Sequence, residues 1–103
     1  MRSAKVFYQD ISAGELIEAG NGREYRFLYN SEYSGPPVSL TMPVRKEPYV
    51  FDAFPPFFDG LLPEGYQLDS LLRQKKLDRS DRFAQLVEVG ADTVGAVTVI
   101  ASS

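Results

Sequence analysis

The first third of the chain alternates between apolar and polar positions, which is the pattern of β-strands with one buried face. Two β-prone runs, at 5–8 and 11–17, are separated by Gln9 and Asp10, a weak turn sequence. The next turn is stronger, because the Asn-Gly pair at 21–22 tolerates the positive φ angles of a type I′ turn. The pattern therefore predicts two antiparallel hairpins.

The strand after the second turn, at 24–29, places three aromatic residues on one face: Tyr25, Phe27 and Tyr29. Alternation returns at 38–42 and predicts another strand, which Pro43 should end or confine to a sheet edge because proline has no N–H to donate. The aromatic face is the expected wall of the core.

A helical pattern replaces the strand pattern after Phe54. The segment 57–62 predicts a short apolar turn of helix, and Pro63 suits the first position of a second helix, where its missing N–H would have no partner. This second helix carries an apolar stripe at i, i+3 and i+4, formed by Leu68, Leu71 and Leu72.

A third helix is expected to start with Ser80 as its N-cap and to end at Gly90 in the left-handed conformation. Its inward face comprises Phe83, Leu86 and Val87. The β-branched run at 93–100 predicts a closing strand, in which Gly95 marks a bulge or a close contact.

These elements predict an α+β fold with a small, mostly antiparallel sheet. Two hairpins and a closing strand form the sheet, and two to three short helices are inserted before the last strand. A length of 103 residues supports one hydrophobic core, so we expect residues 1–103 to form a single domain.

Composition narrows the classes of function. The net charge is −3 and opposite charges are interspersed, whereas nucleic-acid binding requires a basic face, so direct nucleic-acid contact is not expected. No apolar run approaches the roughly 20 residues of a membrane span, and the N-terminus lacks the apolar core of a signal peptide. A cytoplasmic location without membrane association is the default expectation.

Chemistry is sparse in this sequence. Histidine and cysteine are both absent, which removes the usual nucleophilic triads and the common zinc sites, and no glycine motif for phosphate binding occurs. Asp52, Asp59, Glu64 and Asp69 are close in sequence, but a solvated polar face explains them better than an acid/base pair. We therefore expect no enzyme activity, no cofactor and no metal.

The segment 55–66 is the densest in prolines, aromatic residues and leucines. Its phenylalanines and leucines are most simply core residues. Tyr66 follows a Pro-Glu-Gly sequence at a helix start, and it is either a core residue or an exposed anchor for a partner.

Within this segment, residues 57–65 read FFDGLLPEG and resemble the signature of the N-terminal subdomain of HipA-type serine/threonine kinases. Three further stretches are similar to motifs of the same family and follow in the same order: 38–43, 81–86 and 94–97. The resemblance covers nearly the whole chain, whereas the family's nucleotide-binding and catalytic residues belong to a part that is absent here.

The resemblance implies a stand-alone subdomain similar to the HipS proteins of tripartite HipBST toxin–antitoxin systems of bacteria. It implies an antitoxin that binds a HipT- or HipA-like kinase and suppresses it, with a HipB-like DNA-binding protein reached through the complex. A non-catalytic subunit that supports a split kinase, or a fragment of a longer HipA protein, are the alternatives. The candidate partner-binding residues are Phe58, Asp59, Leu62, Pro63, Glu64, Gly65 and Tyr66.

Overall fold

A computed structural model describes residues 2–20, 23–92 and 95–102. The elements in these ranges are, in chain order, β1 (Arg2–Tyr8), β2 (Ile11–Ala19), β3 (Glu24–Tyr29), β4 (Tyr49–Phe51), α1 (Pro56–Asp59), α2 (Gly65–Lys75), α3 (Arg82–Val89), a 3-10 turn (Gly90–Asp92) and β5 (Val97–Ala101).

The strands form one antiparallel sheet in the order β4-β3-β2-β1-β5. β1, β2 and β3 are consecutive, and the chain returns through the helices to place β5 beside β1. The predicted α+β fold, with two hairpins, a closing strand and short inserted helices, is confirmed.

The first hairpin turns tightly despite its weak turn sequence. Tyr8 pairs with Ile11, which leaves Gln9 and Asp10 as a two-residue turn with φ angles of 47° and 67°. Positive φ at both central residues is the mark of a type I′ turn. The backbone N–H of Gln9 also donates to the carbonyl of Ala96 at 2.8 Å, which ties the turn to the chain entering β5.

The second predicted turn, at 21–22, lies outside the described residues. The strands on either side of it pair as predicted, from Ala19 opposite Glu24 to Gly14 opposite Tyr29. The second hairpin is therefore present.

The core lies on the sheet face that the helices cover. Tyr25, Phe27 and Tyr29 are all buried there, as their alternation predicts. The ring of Phe27 lies 4.9 Å from that of Tyr29 and 5.7 Å from that of Phe58, measured between centroids. Phe58 from α1 thus completes an aromatic cluster with β3.

The predicted strand at 38–42 is wrong. This segment is a tight turn in which a single bridge joins Ser39 and Met42, while Leu40 at its tip is exposed. Val38 and Met42 are buried because the Tyr29 hydroxyl accepts from the N–H of Val38 and donates to the carbonyl of Met42. The apolar residues at 38 and 42 therefore mark the two ends of a turn that are bonded to Tyr29, and not the buried face of a strand.

Two predicted helix starts are also wrong. α2 begins at Gly65, two residues after Pro63, because Glu64 is still extended, with φ −128° and ψ 163°. In α3, Asp81 and not Ser80 is the N-cap, since its carboxylate accepts from the N–H of Ala84. The hydroxyl of Ser80 donates instead to Asp78.

The two glycines near the last strand differ from expectation. Gly90 has a right-handed helical backbone conformation, with φ −63°. Glycine is needed there because a Cβ would lie 2.2 Å from the carbonyl oxygen of Val99. Gly95 precedes β5, and a Cβ there would meet no atom within 4 Å, but its φ of +113° is one that residues with side chains rarely adopt. Phe83 and Leu86 are buried on α3 as predicted, and Val87 is partly buried.

Across residues 2–20, 23–92 and 95–102, no helix has both the length and the apolar character that crossing a bilayer would require.

Candidate partner-binding surface

The segment 56–66, called here the corner, carries the chain from α1 into α2. Pro55 enters α1 in an extended conformation, and after α1 the N–H groups of Leu61 and Leu62 bond back to the carbonyls of Phe58 and Asp59. Gly65 then adopts a φ of +59° as the first residue of α2. That angle, which suits glycine, sets the direction in which α2 leaves the corner.

Phe58 is the buried side of the corner. It has no exposed surface and its ring lies 5.2 Å from Phe57 and 5.7 Å from Phe27. Phe57, Leu61 and Leu62 pack beside it and are partly buried. The core interpretation of these four side chains therefore fits the structure, and Phe58 offers no side-chain surface to a partner in this conformation.

Asp59 is exposed but paired within the chain. Its Oδ1 lies 3.5 Å from Nε of Arg82, and both side chains are about half exposed. This ion pair joins α1 to α3. A partner cation at Asp59 would have to compete with Arg82.

The outer side of the corner is formed by Pro63, Glu64, Gly65 and Tyr66, of which Pro63 is partly buried and the other three are exposed. Tyr66 is 89% exposed, so its ring is not part of the core. A shallow depression lies beside the ring, and it is lined by Pro63, Gln67, Ser70, Leu71, Gln74 and Val89. The structure therefore brings together an unburied aromatic ring and a shallow recess whose lining is partly apolar and partly polar.

An ionic network holds α3, and through it the corner, against the sheet. The guanidinium of Arg2 makes two 2.7 Å bonds to the carboxylate of Glu18 and also binds Asp81, with Nη2 2.9 Å from Oδ1. Its carbon lies 5.0 Å above the ring centre of Phe83, and Tyr25 donates its hydroxyl to Glu18. Because Asp81 is the N-cap of α3, one arginine links that helix start to β1 and β2.

The network shifts the pKa of each of its charged members. Hydrogen bonds to Glu18 first and Asp81 second raise the pKa of Arg2. The hydrogen bond from Arg2 is the main cause that lowers the pKa of Glu18 and of Asp81 below their ordinary values. Sequence reasoning missed this network, because nothing local to Arg2 signals a partner 79 positions away.

The arrangement offers little for catalysis. Two of the four carboxylates between positions 52 and 69 that are close in sequence form ion pairs: Asp59 pairs with Arg82, and Asp69 pairs with Arg79. In the described part of the chain, no group of three metal-ligating side chains comes together. A wider groove under the first hairpin is rich in tyrosines, yet the hydroxyls of Tyr29 and Tyr33 are bonded to backbone carbonyls.

Comparison with known proteins gives consistent matches over the whole chain. A protein of Haemophilus influenzae, described as uncharacterized, is 35% identical over 99 residues, which are 96% of this chain and 92% of that protein. A solved structure of the N-terminal domain of HipA toxin has a TM-score of 0.78 and 33% identity, and the match covers 100% of this chain and 94% of that one.

Longer proteins match only in part. HipA in the Shewanella oneidensis complex of HipA, HipB and operator DNA has a TM-score of 0.74 and 26% identity over 94% of this chain, but only 23% of its own. A Sinorhizobium fredii protein named "Putative kinase Y4mE" is 27% identical, and the match covers 97% of this chain and 24% of that protein. This chain thus spans about a quarter of each of these two proteins.

The sequence profile of the HipA N-terminal domain matches residues 4–100, which include the corner, all three helices and nearly all of the sheet. The chain therefore belongs to the HipA N-terminal domain family.

Proposed function

We propose that this chain is a non-catalytic antitoxin of the cytoplasm that binds a HipT- or HipA-like serine/threonine kinase and suppresses it. The observation that carries the proposal is Tyr66, whose ring is 89% exposed at the corner, directly after the stretch 57–65 that resembles the family signature. Large aromatic rings beside apolar recesses are frequent anchors of protein interfaces.

The proposed interface is the outer side of the corner. Tyr66 is its centre, Pro63 extends the apolar surface, and Glu64 and Gly65 present polar groups and backbone. The accessible part of Leu62, which otherwise packs against the core, adds to the edge of this surface. Asp59 lies at the rim, next to Arg82. Phe58 supports the interface indirectly, because its packing against Phe27 in the core fixes the position of the corner.

The similarity to the Shewanella complex of HipA, HipB and operator DNA, and to the Sinorhizobium protein named as a kinase, supports a HipA-like kinase as the partner. The HipB and operator DNA in that complex support a HipB-like partner, which this chain would reach through the kinase and not through its own contact with DNA.

The similarity to a protein named as a kinase also supports a second candidate, a subunit that completes a split kinase and sustains its activity. Autophosphorylation of the kinase with and without this chain separates the two. Suppression of phosphate incorporation is the result expected of an antitoxin, whereas a rise in incorporation supports the split-kinase subunit.

Tyr66→Ala tests the interface. Removal of a true anchor costs about 2 kcal/mol of binding free energy, or around thirtyfold in affinity for the kinase. Its melting temperature should match that of the wild type, since the ring is not packed in the core. Calorimetric titration of the kinase and a melting curve measure the two quantities.

Leu40→Ala is the matched control, because Leu40 is 94% exposed but lies in the turn at 38–42 and outside the corner. It should bind and suppress like the wild type. A folded Tyr66→Ala protein with undiminished affinity and suppression would remove Tyr66 from the interface.

A further inference from the structure

Positive charge is concentrated at the end of α2 and in the residues that follow, although the chain as a whole is acidic, with a net charge of −3. Of its eleven lysines and arginines, five fall between positions 73 and 82. They are Arg73, Lys75, Lys76, Arg79 and Arg82.

Three of these five cations have an acidic neighbour within the chain. Arg79 pairs with Asp69 and Arg82 with Asp59, and Lys75 lies 4.0 Å from Glu88, at the limit of an ion pair. Arg73 and Lys76 are exposed and take part in none of the ion pairs found among residues 2–20, 23–92 and 95–102.

Lys76 also occupies an unusual backbone position. It is the C-cap of α2 with φ 55° and ψ 44°, a left-handed conformation in which glycine is the usual residue. The left-handed conformation costs a lysine more conformational free energy than it would cost a glycine. Its cationic side chain is attached at the C-terminal end of α2, three residues after Arg73, where positive charge is favoured by the helix dipole.

Helical geometry aligns Arg73 with Tyr66 at the corner. Tyr66, Ser70 and Arg73 are spaced i, i+4 and i+7, so they share one face of α2, and all three are exposed. From Tyr66 to Arg73 this face runs for about 10 Å. An aromatic anchor at one end of this face is thus followed by Arg73 at the other, and Lys76 caps the helix three residues later.

We propose that this face of α2, completed by Lys76, docks against an acidic protein surface on the kinase that flanks an apolar recess. The recess receives the Tyr66 ring, and carboxylates of the kinase pair with Arg73 and Lys76. This inference rests on the proposed function and adds the chemistry of the partner surface: the kinase carries negative charge roughly two helical turns from the site of the ring.

The apolar surroundings favour a protein over a nucleic acid as the occupant. Pro63, Leu71 and Val89 line the depression beside Tyr66, together with the uncharged polar side chains of Gln67, Ser70 and Gln74. Glu64 at the corner would repel phosphates. Binding to a phosphate backbone draws on many cations at once. Two unpaired cations beside an apolar recess suit a mixed protein surface better.

The test is the affinity of an Arg73→Glu/Lys76→Glu double variant for the HipA- or HipT-like kinase of the same organism. At about 0.05 M salt we expect affinity to fall tenfold or more, and wild-type affinity to weaken as salt is raised to about 0.5 M. Calorimetry measures both. An Arg73→Gln/Lys76→Gln variant should show a smaller fall, because it removes the cations without adding repulsion.

An Arg23→Glu/Lys46→Glu double variant is the matched control. It changes net charge by the same amount at two exposed positions that also lack an ion pair among the described residues. Its affinity for the kinase should stay within about twofold of the wild type, because distant charges are screened.

The outcomes distinguish the proposed acidic docking surface from the proposed binding of a kinase. If both α2 double variants bind like the control while Tyr66→Ala binds weakly, the acidic docking surface is refuted and the kinase interface stands. If the wild type binds no kinase, both are refuted. Binding of duplex DNA that is lost in the Arg73→Gln/Lys76→Gln variant would replace the protein occupant with nucleic acid.

Discussion

Asp10 is the residue whose replacement should stabilise the fold most directly. It holds a φ of 67° in the turn between β1 and β2, a conformation that costs a residue with a side chain more than it costs glycine. We expect Asp10→Gly to raise the free energy of unfolding by about 0.5–1 kcal/mol, seen as a melting temperature higher by several degrees.

Asp52→Gly is the control for this prediction. Asp52 is exposed and is not among the residues with positive φ, so glycine there should only add freedom to the unfolded chain and lower stability slightly. If Asp10→Gly melts at or below the wild-type temperature, the left-handed turn is incorrectly described.

The sequence predicts that glycine is needed at position 90, but it does not reveal the physical reason. Gly90 at the end of a helix suggests a left-handed cap, whereas the structure uses its lack of a Cβ to admit the carbonyl of Val99. Close approach depends on a strand that follows later in the chain, which no local pattern reveals. Likewise the sequence around Tyr66 fits either a core residue or an interface residue, because its 89% exposure depends on how α2 packs.

At the scale of elements, α2 stands apart because none of its residues is buried. Its leucines at 68, 71 and 72 form the predicted stripe but remain only partly covered. An isolated helix of 11 residues is marginal in water, so packing normally provides its stability. α3 differs, since it buries Phe83 and Leu86 and is capped by Asp81.

We therefore expect amide hydrogens of α2 to exchange faster than those of α3 in the free protein. Exchange followed by mass spectrometry on peptides from 65–75 and 82–89 measures the difference. Addition of the kinase should slow exchange in α2 much more than in α3. Equal protection of the two helices in the free protein would contradict the idea that α2 lacks sufficient packing of its own.

Strands and helices were predicted best where their periodicity was long. β1, β2, β3 and the face of α3 follow from alternation and helical spacing. The turn at 38–42 imitates a strand because Tyr29 anchors both of its ends. β4 was missed because it has three residues and exists through its pairing with β3.

At the scale of the whole molecule, the Arg2 network makes stability depend on pH. Glu18 and Asp81 have pKa values lowered chiefly by hydrogen bonds from Arg2. Groups with a depressed folded pKa stabilise the protein above their ordinary pKa, near 4, and lose that contribution as pH falls through the lower folded value. Arg2 is partly exposed, which reduces the effect through solvent screening.

Arg2→Met should destabilise the protein by about 1–2 kcal/mol near neutral pH, because it leaves the largely buried Glu18 carboxylate unpaired. The gap in melting temperature between variant and wild type should shrink below about pH 4, where the carboxylates take up protons. Melting curves of both proteins from pH 7 to about pH 3 measure this difference in melting temperature.

Arg26→Met is the matched control, because Arg26 pairs with Glu24 on an exposed part of the sheet. Its effect on stability should stay within about 0.5 kcal/mol at every pH. A gap for Arg2→Met that stays constant, or widens on acidification, would show that packing and not charge accounts for the role of Arg2.

The fold class and the place of the corner could be predicted, since both depend on local pattern and on a contiguous stretch of sequence. The order of strands and the link from Arg2 to Asp81 could not, because they join distant parts of the chain.

The pairing of β1 with β5 has a consequence for how the chain is made. Residues 4–8 leave the ribosome before the rest of the domain, and their partners at 97–101 emerge only after nearly the whole domain has been synthesised. During that interval β1 is an open edge, and closing so long a loop makes late pairing slow. A β5 from a second nascent copy fits the same edge, so the risk of strand exchange between neighbouring molecules is greatest before each chain has received its own last strand.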